Sequence, residues 1–209
     1  MNQRLTKRQE RAAATAEQLL AAAREVFERQ GYQATTVGAI TDAANCAHGT
    51  FYLHFRNKED AFAQVMADVI HLLYTEARGP WEGDPYPALA QANLGFLQVF
   101  SEHAGLMRCI HEGMHRSKAI EKMWLDLRRP FIARIERVLD RLVEAGTIRP
   151  VNTVLAAHVL GSMVEWTAFT HFVLGEPPVT STSIEDLAAT VTDLWWYAVF
   201  HLPVAEATP

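Results

Sequence analysis

TVGAITDAANCAHGTFYLHFRNK, residues 36–58, is the stretch that decides the fold. Thr36 is a strong helix N-cap, and Val37, Ile40 and Ala44 follow at helical spacing. Asn45 breaks that pattern, and asparagine tolerates the left-handed backbone of a sharp helix–helix turn. A second helix of about eight residues is predicted from His48 to Phe55, with Phe51 and Phe55 four apart on its inner face. Two short helices around a tight turn predict a helix-turn-helix, whose second helix enters the DNA major groove. With the two phenylalanines inward, a step of about 100° per residue points Gly49 and Leu53 outward and puts Thr50 and Tyr52 on the flanks.

Working outward, a first helix is predicted from near Ala12 to Gln30, with Ala16, Leu19, Ala23, Val26 and Phe27 as its apolar stripe and Gly31 as its stop. Asn57 caps a fourth helix running to about Arg78, and Glu59 and Asp60 sit in its first turn, where the helix dipole favours acids. GPWEGDPYP, residues 79–87, reads as a loop. Further helices are predicted over 88–102, 104–115 and 118–145, the last kinked or split at Pro130 and ended by Gly146. An eighth covers 152–174, stopping at Gly175 before Pro177 and Pro178. A ninth runs from the Ser183-x-x-Asp186 capping pattern to Leu202. With no strand-like alternation of useful length, the expected fold is all-α with about nine helices. Residues 1–57 are expected to form a three-helix head and 58–209 a larger helical domain.

A composition of 49% hydrophobic and 21% charged residues suits a globular chain with a sizeable core. No apolar run approaches the roughly 20 residues that cross a bilayer, so no membrane partner is expected. The polar N-terminus lacks an apolar h-region, and no secretion signal is expected. Cys46 and Cys109 make no disulfide framework, which fits a reducing cytoplasm. The net charge of −5 is divided unevenly. Residues 1–60 hold eight Lys/Arg against seven Asp/Glu, and the remainder eleven against seventeen. The first eleven residues, with Arg4, Lys7, Arg8 and Arg11 against Glu10, form a cationic arm suited to phosphates, ahead of an acidic body that DNA would repel.

The ordered set AAREVFERQGYQATTV (22–37) and AANCAHGTFYLHFRNKED (43–60) resembles the tetracycline-repressor (TetR) family of transcriptional regulators. The likeness is dense from about Ala12 to Val69 and beyond that rests on length and helix pattern. The resemblance implies that Tyr52 donates its hydroxyl to a phosphate, that Lys58 meets the DNA backbone, and that Thr36 sets the second helix on another phosphate; such contacts fix register. Base readout then falls to His48, Thr50, Leu53 and His54, beside Gly49, since leucine and threonine methyls pack on thymine. Many family members have Gly-Val-Ser-Arg where this chain has Asn45-Cys46-Ala47-His48. Two polar contacts are thereby lost, and no relative's operator sequence transfers.

The resemblance also implies a small-molecule pocket in the second domain, for which the large side chains are Phe62, Met66, Phe96, Phe100, Met107, Met114 and Trp124, with Trp166, Phe169 and Trp195 from the last helices. Any one of these is equally at home in an ordinary core. The last two helices are apolar on more than one face, which suggests self-association. Leu155, Val159, Met163, Val191, Trp196 and Val199 are the expected dimer residues. Cys109, His111 and His115 lie close together, with the histidines at i, i+4, but no CxxC or second ligand cluster joins them, and no metal or cofactor is expected. Nor does the sequence carry a Gly-rich phosphate loop, nucleophile elbow or acid pair, which argues against an enzyme. The expectation is a homodimeric repressor released from a palindromic double-stranded operator by a small, mostly apolar effector. The alternative is a DNA-binding regulator or architectural protein without an effector.

Overall fold

A computed structural model of the chain describes residues 6–76, 85–175 and 182–200. Every regular element among them is helical: α1 (Lys7–Ala34), α2 (Val37–Ala43), α3 (His48–Phe51), α4 (Lys58–Glu76), α5 (Pro85–Glu102), α6 (Ala104–Met114), α7 (Lys118–Glu144), α8 (Thr153–Phe169) and α9 (Ile184–Phe200), with a π-helical turn, Thr170–Leu174, extending α8. None of these helices is long and apolar enough to cross a membrane.

The helices cluster into two compact units. One contains the residues up to Val69 together with Gly105–Trp124; the other contains Ile70–Ala104 and the residues from Leu125 onward. The division therefore differs from a boundary at 57/58. The first turns of α4, all but one residue of α6 and the start of α7 go with the head, because α6 packs directly on α1. Cys109 Sγ donates to Phe27 O at 3.3 Å, and a Cβ on Gly105 would stand 3.3 Å from Glu28 O.

Within the first unit, α1 begins earlier than predicted. Thr6 accepts from Gln9 N while the Gln9 side chain accepts from Thr6 N, a capping box that starts the helix at Lys7. Lys7, Arg8 and Arg11 are therefore helical residues and not a loose arm; Arg4 lies outside the described residues. Gly31, at φ +79°, interrupts the helix where a stop was predicted. Its core is Leu19, Val26, Phe27, Ile40, Phe51, Phe55, Phe62 and Met66. The Phe62 ring meets Phe27 edge-on at 4.8 Å and tilts against Tyr32 at 5.0 Å.

In the second unit α5 packs on α8 and α9. Asn93 Nδ2 donates to Thr192 Oγ1 at 3.1 Å, and Tyr86 donates to Asp193 at 2.7 Å. Residues 85–87, predicted as loop, form the first turn of α5, while 79–84 lie outside the described residues. Pro130 neither splits nor ends α7. The predicted eighth helix keeps its length but changes its winding, going over to the π turn after Phe169; Gly175, at φ +65°, ends it. Ser183 caps α9, accepting from Asp186 N at 3.1 Å, and the last predicted residues, 201–202, lie outside the described ones.

Candidate nucleic-acid interface and cavity

Local chemistry builds the two-helix element. Thr36 Oγ1 accepts from Ala39 N at 3.1 Å, so the exposed threonine is the N-cap of α2. The turn is closed by Cys46 N donating to Thr41 O at 3.0 Å, and Asn45, at φ +49°, supplies the left-handed residue. Gln18 of α1 reaches across to donate to Ala44 O at 2.7 Å, satisfying a carbonyl that α2 leaves open. Cys46 is half-buried in this turn.

The second helix is shorter than predicted. Only His48–Phe51 is α-helical, and Leu53 N and His54 N then donate three residues back, to Thr50 O and Phe51 O. The tightened turn still sends Phe51 and Phe55 inward, 5.2 Å apart and fully buried. Outward stand Tyr52, 55% exposed, and Leu53, 81% exposed. His48 and Gly49 are exposed, and Thr50 and His54 are half-buried. A Cβ at Gly49 would meet no atom of the described residues within 4 Å, so the position is open to a close neighbour.

Lys58 has another occupation. Its ammonium donates to Tyr32 O at 2.8 Å and Thr35 O at 2.9 Å and lies 4.5 Å over the Tyr32 ring. Partial burial lowers its pKa, opposed by neighbouring Glu59. Lys58 is thus tied to the fold and not simply held outward: two of its three N–H donors close the end of α1, and one remains. Tyr32 in turn donates its hydroxyl to Glu59 at 3.1 Å, and burial followed by that carboxylate raises its pKa. Its backbone N–H donates to Glu112 Oε2 at 3.0 Å.

The residues expected to line one pocket divide between the units. Phe62, Met66 and Met107 are core of the first unit, and Met114 and Trp124 are half-buried in it. The second unit holds a cavity of about 50 Å³, lined by Leu89, Ala92, Asn93, Phe96, Phe131, Arg134, Ile135, Val138, Leu139, Leu142, Val164, Trp195, Val199 and Phe200. Phe96 and Trp195 are on its wall. Phe100 is buried against Phe96 and Phe172, while Trp166 is 57% exposed with Phe169 stacked beneath it. These three are not wall residues: Phe100 shares the face of Phe96 but stands one turn further along α5, while Trp166 and Phe169 are rotated away from Val164, the α8 residue on the wall. Sequence reasoning missed Asn93 and Arg134, the polar members of the wall.

Two of the expected interface residues prove internal: Val191 is 3% exposed, and Val199 faces the cavity. Trp196 is half-buried between Tyr86 and Phe200, and Met163 is half-buried. Leu155 and Val159 are exposed, in company with Val154, Trp166, Leu194 and Tyr197. Glu165, an apparent anomaly inside apolar α8, accepts from Arg128 Nε through both oxygens, at 2.7 and 3.0 Å. Burial raises its pKa against the pull of Arg128.

Among the described residues no group of three or more potential metal ligands is assembled. Burial pushes the Cys109 thiol up to about 12, leaving it a weak nucleophile, and burial with the nearby His115 pushes His111 down to about 4.

The tetR family of bacterial regulatory proteins matches residues 19–65, and the C-terminal domain of AefR-like transcriptional repressors matches residues 87–198, more than half of the chain. The chain belongs to the TetR family. Like its relatives it is a DNA-binding transcriptional regulator, in a family of regulators and not of enzymes. The regulator AcrR of Shigella flexneri is 25% identical over 177 residues, 77% of this chain and 81% of that protein. QacR of Staphylococcus aureus is 36% identical over 50 residues, 24% of this chain and 27% of that one. The solved structure of SmeT, repressor of a Stenotrophomonas maltophilia multidrug efflux pump, shares the fold with a TM-score of 0.71, 24% identity, and coverage of 95% of this chain and 97% of that one.

Proposed function

We propose that this TetR-family chain is a homodimeric repressor that leaves a palindromic operator when a small, mostly apolar molecule binds in the second unit. The observation that carries the DNA half of this reading is the outward set on the second short helix and the turn that follows it, where Tyr52 and Leu53 are exposed over a buried Phe51–Phe55 pair. His48, Gly49, Thr50, Leu53 and His54 read bases; Tyr52 and Thr36, with the remaining donor of Lys58, hold phosphates. Repression agrees with the description of the matched C-terminal family, AefR-like repressors.

A dimer sets two such helices about 34–36 Å apart on successive major grooves. The exposed apolar side chains of α8 and α9, including Leu155, Val159, Leu194 and Tyr197, support self-association through that face. An effector acts only through the difference in its affinity for the DNA-competent and incompetent arrangements.

Selection of bound fragments from random duplex DNA, at physiological salt with competitor, tests the reading. One palindromic site is the expected outcome, and no sequence preference from a folded dimer sinks it. Leu155→Glu with Val159→Glu is expected to give a monomer by sedimentation that no longer holds that site. A second reading, a regulator without an effector, is favoured by the small volume of the cavity, about 50 Å³, against the roughly 300–1,000 Å³ usual for ligand sites. It predicts that no compound shifts operator affinity.

A further inference from the structure

We propose that the cavity of the second unit takes a small aromatic carboxylate, its ring against the apolar wall and its oxygens on Trp195 and Arg134. The inference deepens the effector reading above and rests on it. Three observations on the same wall converge. The first is an unanswered donor. Trp195 is 8% exposed, and its indole Nε1–H is buried with no acceptor among the described residues. An indole nitrogen can only donate, so the group it lacks is an acceptor, which a ligand oxygen supplies.

The second is the sign of charge. Among the described residues Arg134 is the one charged residue lining the cavity, and it is held there in part by donating Nη1–H to Tyr74 O at 2.6 Å. A guanidinium on a wall whose other polar groups are uncharged favours an anion and disfavours a cation. Asn93 is equally fixed. Thr192 sends its own proton to Ala188 O at 2.7 Å, so its oxygen must accept, and the Asn93 amide turns its NH₂ to it at 3.1 Å.

The third is size and shape. Phe96 and Phe131 lie nearly parallel, 22° apart with centroids at 5.8 Å, as flat surfaces on which a ring stacks. A cavity of about 50 Å³ is smaller than the roughly 150 Å³ that admits benzene, so a single ring is the scale of guest and the wall must give to admit it. Phe200 and Val199 are half-buried in the last described turn of α9 and are the side chains placed to give. Phe200 stacks on Trp196 at 4.0 Å, so its displacement alters a second tryptophan.

The test uses the purified full chain and three probes of one size: benzoate, toluene without an acceptor, and benzylamine with the opposite charge. Calorimetry and the indole N–H resonances of ¹⁵N-tryptophan-labelled protein report binding, the Trp195 signal being assigned by its loss in Trp195→Phe. Benzoate is expected to bind at least about tenfold more tightly than either analogue and to shift the Trp195 signal. Trp195→Phe is expected to weaken benzoate about fivefold or more and leave toluene unchanged. Val199→Trp, which fills the cavity from a half-buried position, is expected to exclude benzoate whether or not the Trp195 variant folds. Equal binding of benzoate and toluene, an unmoved Trp195 signal, or no binding of any probe at millimolar concentration overturns the inference. Release of the operator by other compounds alongside those negatives leaves the effector reading standing without this one. Benzoate bound as described, with operator affinity unchanged, leaves the site and removes its role as an effector site for this class.

Discussion

Tyr32 N donates to Glu112 Oε2 at 3.0 Å, joining residues 80 apart in the chain. The neighbouring Tyr32 carbonyl accepts from Lys58, so one peptide segment at the end of α1 is held by α4 on one side and α6 on the other. Gly31 makes the arrangement possible. Its φ of +79° turns the chain out of the helix, and a Cβ there would stand 3.0 Å from Glu112 Oε2. Whatever moves α6 thus pulls on the residue that Lys58 also holds, within the unit that carries the reading helix.

Replacing the acceptor tests the clamp. Glu112→Ala leaves a buried N–H unanswered and is expected to lower stability by about 1–3 kcal/mol, with Glu112→Gln costing less because an acceptor oxygen remains. Denaturant melts followed by tryptophan fluorescence decide it. Equal midpoints for Glu112→Ala and the parent chain refute the clamp.

Lys58→Met removes two charge-assisted hydrogen bonds to carbonyls of a partly buried segment. Stability is expected to fall by about 1.5–3 kcal/mol, whereas an exposed lysine costs less than about 0.5. At a temperature where the variant stays folded, binding to all DNA sequences weakens and the salt dependence flattens by at most about one counterion. An unchanged melting temperature contradicts the internal role.

The pH response follows from His111, whose ordinary value of 6.5 is pushed down to about 4 by burial first and by His115 second. Between those values the unfolded chain binds a proton that the folded chain refuses. The contribution is therefore intact above about 6.5 and is lost as pH falls towards 4. Urea midpoints measured from pH 7 to 4 should decline less steeply for His111→Gln than for the parent; parallel curves would show that other groups govern acid lability.

Tyr52 and Leu53 separate register from readout. Tyr52→Phe is expected to weaken every duplex alike, by about tenfold or less for one hydrogen bond. Leu53→Ser is expected to leave stability within about 0.5 kcal/mol, because the residue is 81% exposed, and to change which sites are selected. Selected sites identical to the parent's would remove Leu53 from base readout.

Much of the fold is legible without coordinates because its signals are local. N-caps at Thr36, Asn57 and Ser183, the left-handed residue at Asn45 and the stops at Gly31, Gly146 and Gly175 all act within a turn of their own backbone. Where a neighbour too distant in sequence decides, the reading fails. The Thr6–Gln9 box was local and readable, and was missed because the apolar stripe starts later. The assignment of Phe62 and Met107 to a pocket failed for another reason: a large apolar side chain looks the same facing a cavity or a core.

Periodicity and capping are properties of short stretches, so they suffice to make this chain all-α, to place a two-helix DNA reader in its first third and to tell which face of that reader is buried. Packing between helices is what makes Lys58 close α1, brings Glu112 to Tyr32, answers Glu165 with Arg128, and puts Asn93, Arg134 and Trp195 around one cavity. Each of these joins residues at least 23 apart, and helical spacing carries no information about which face of which other helix a side chain will meet.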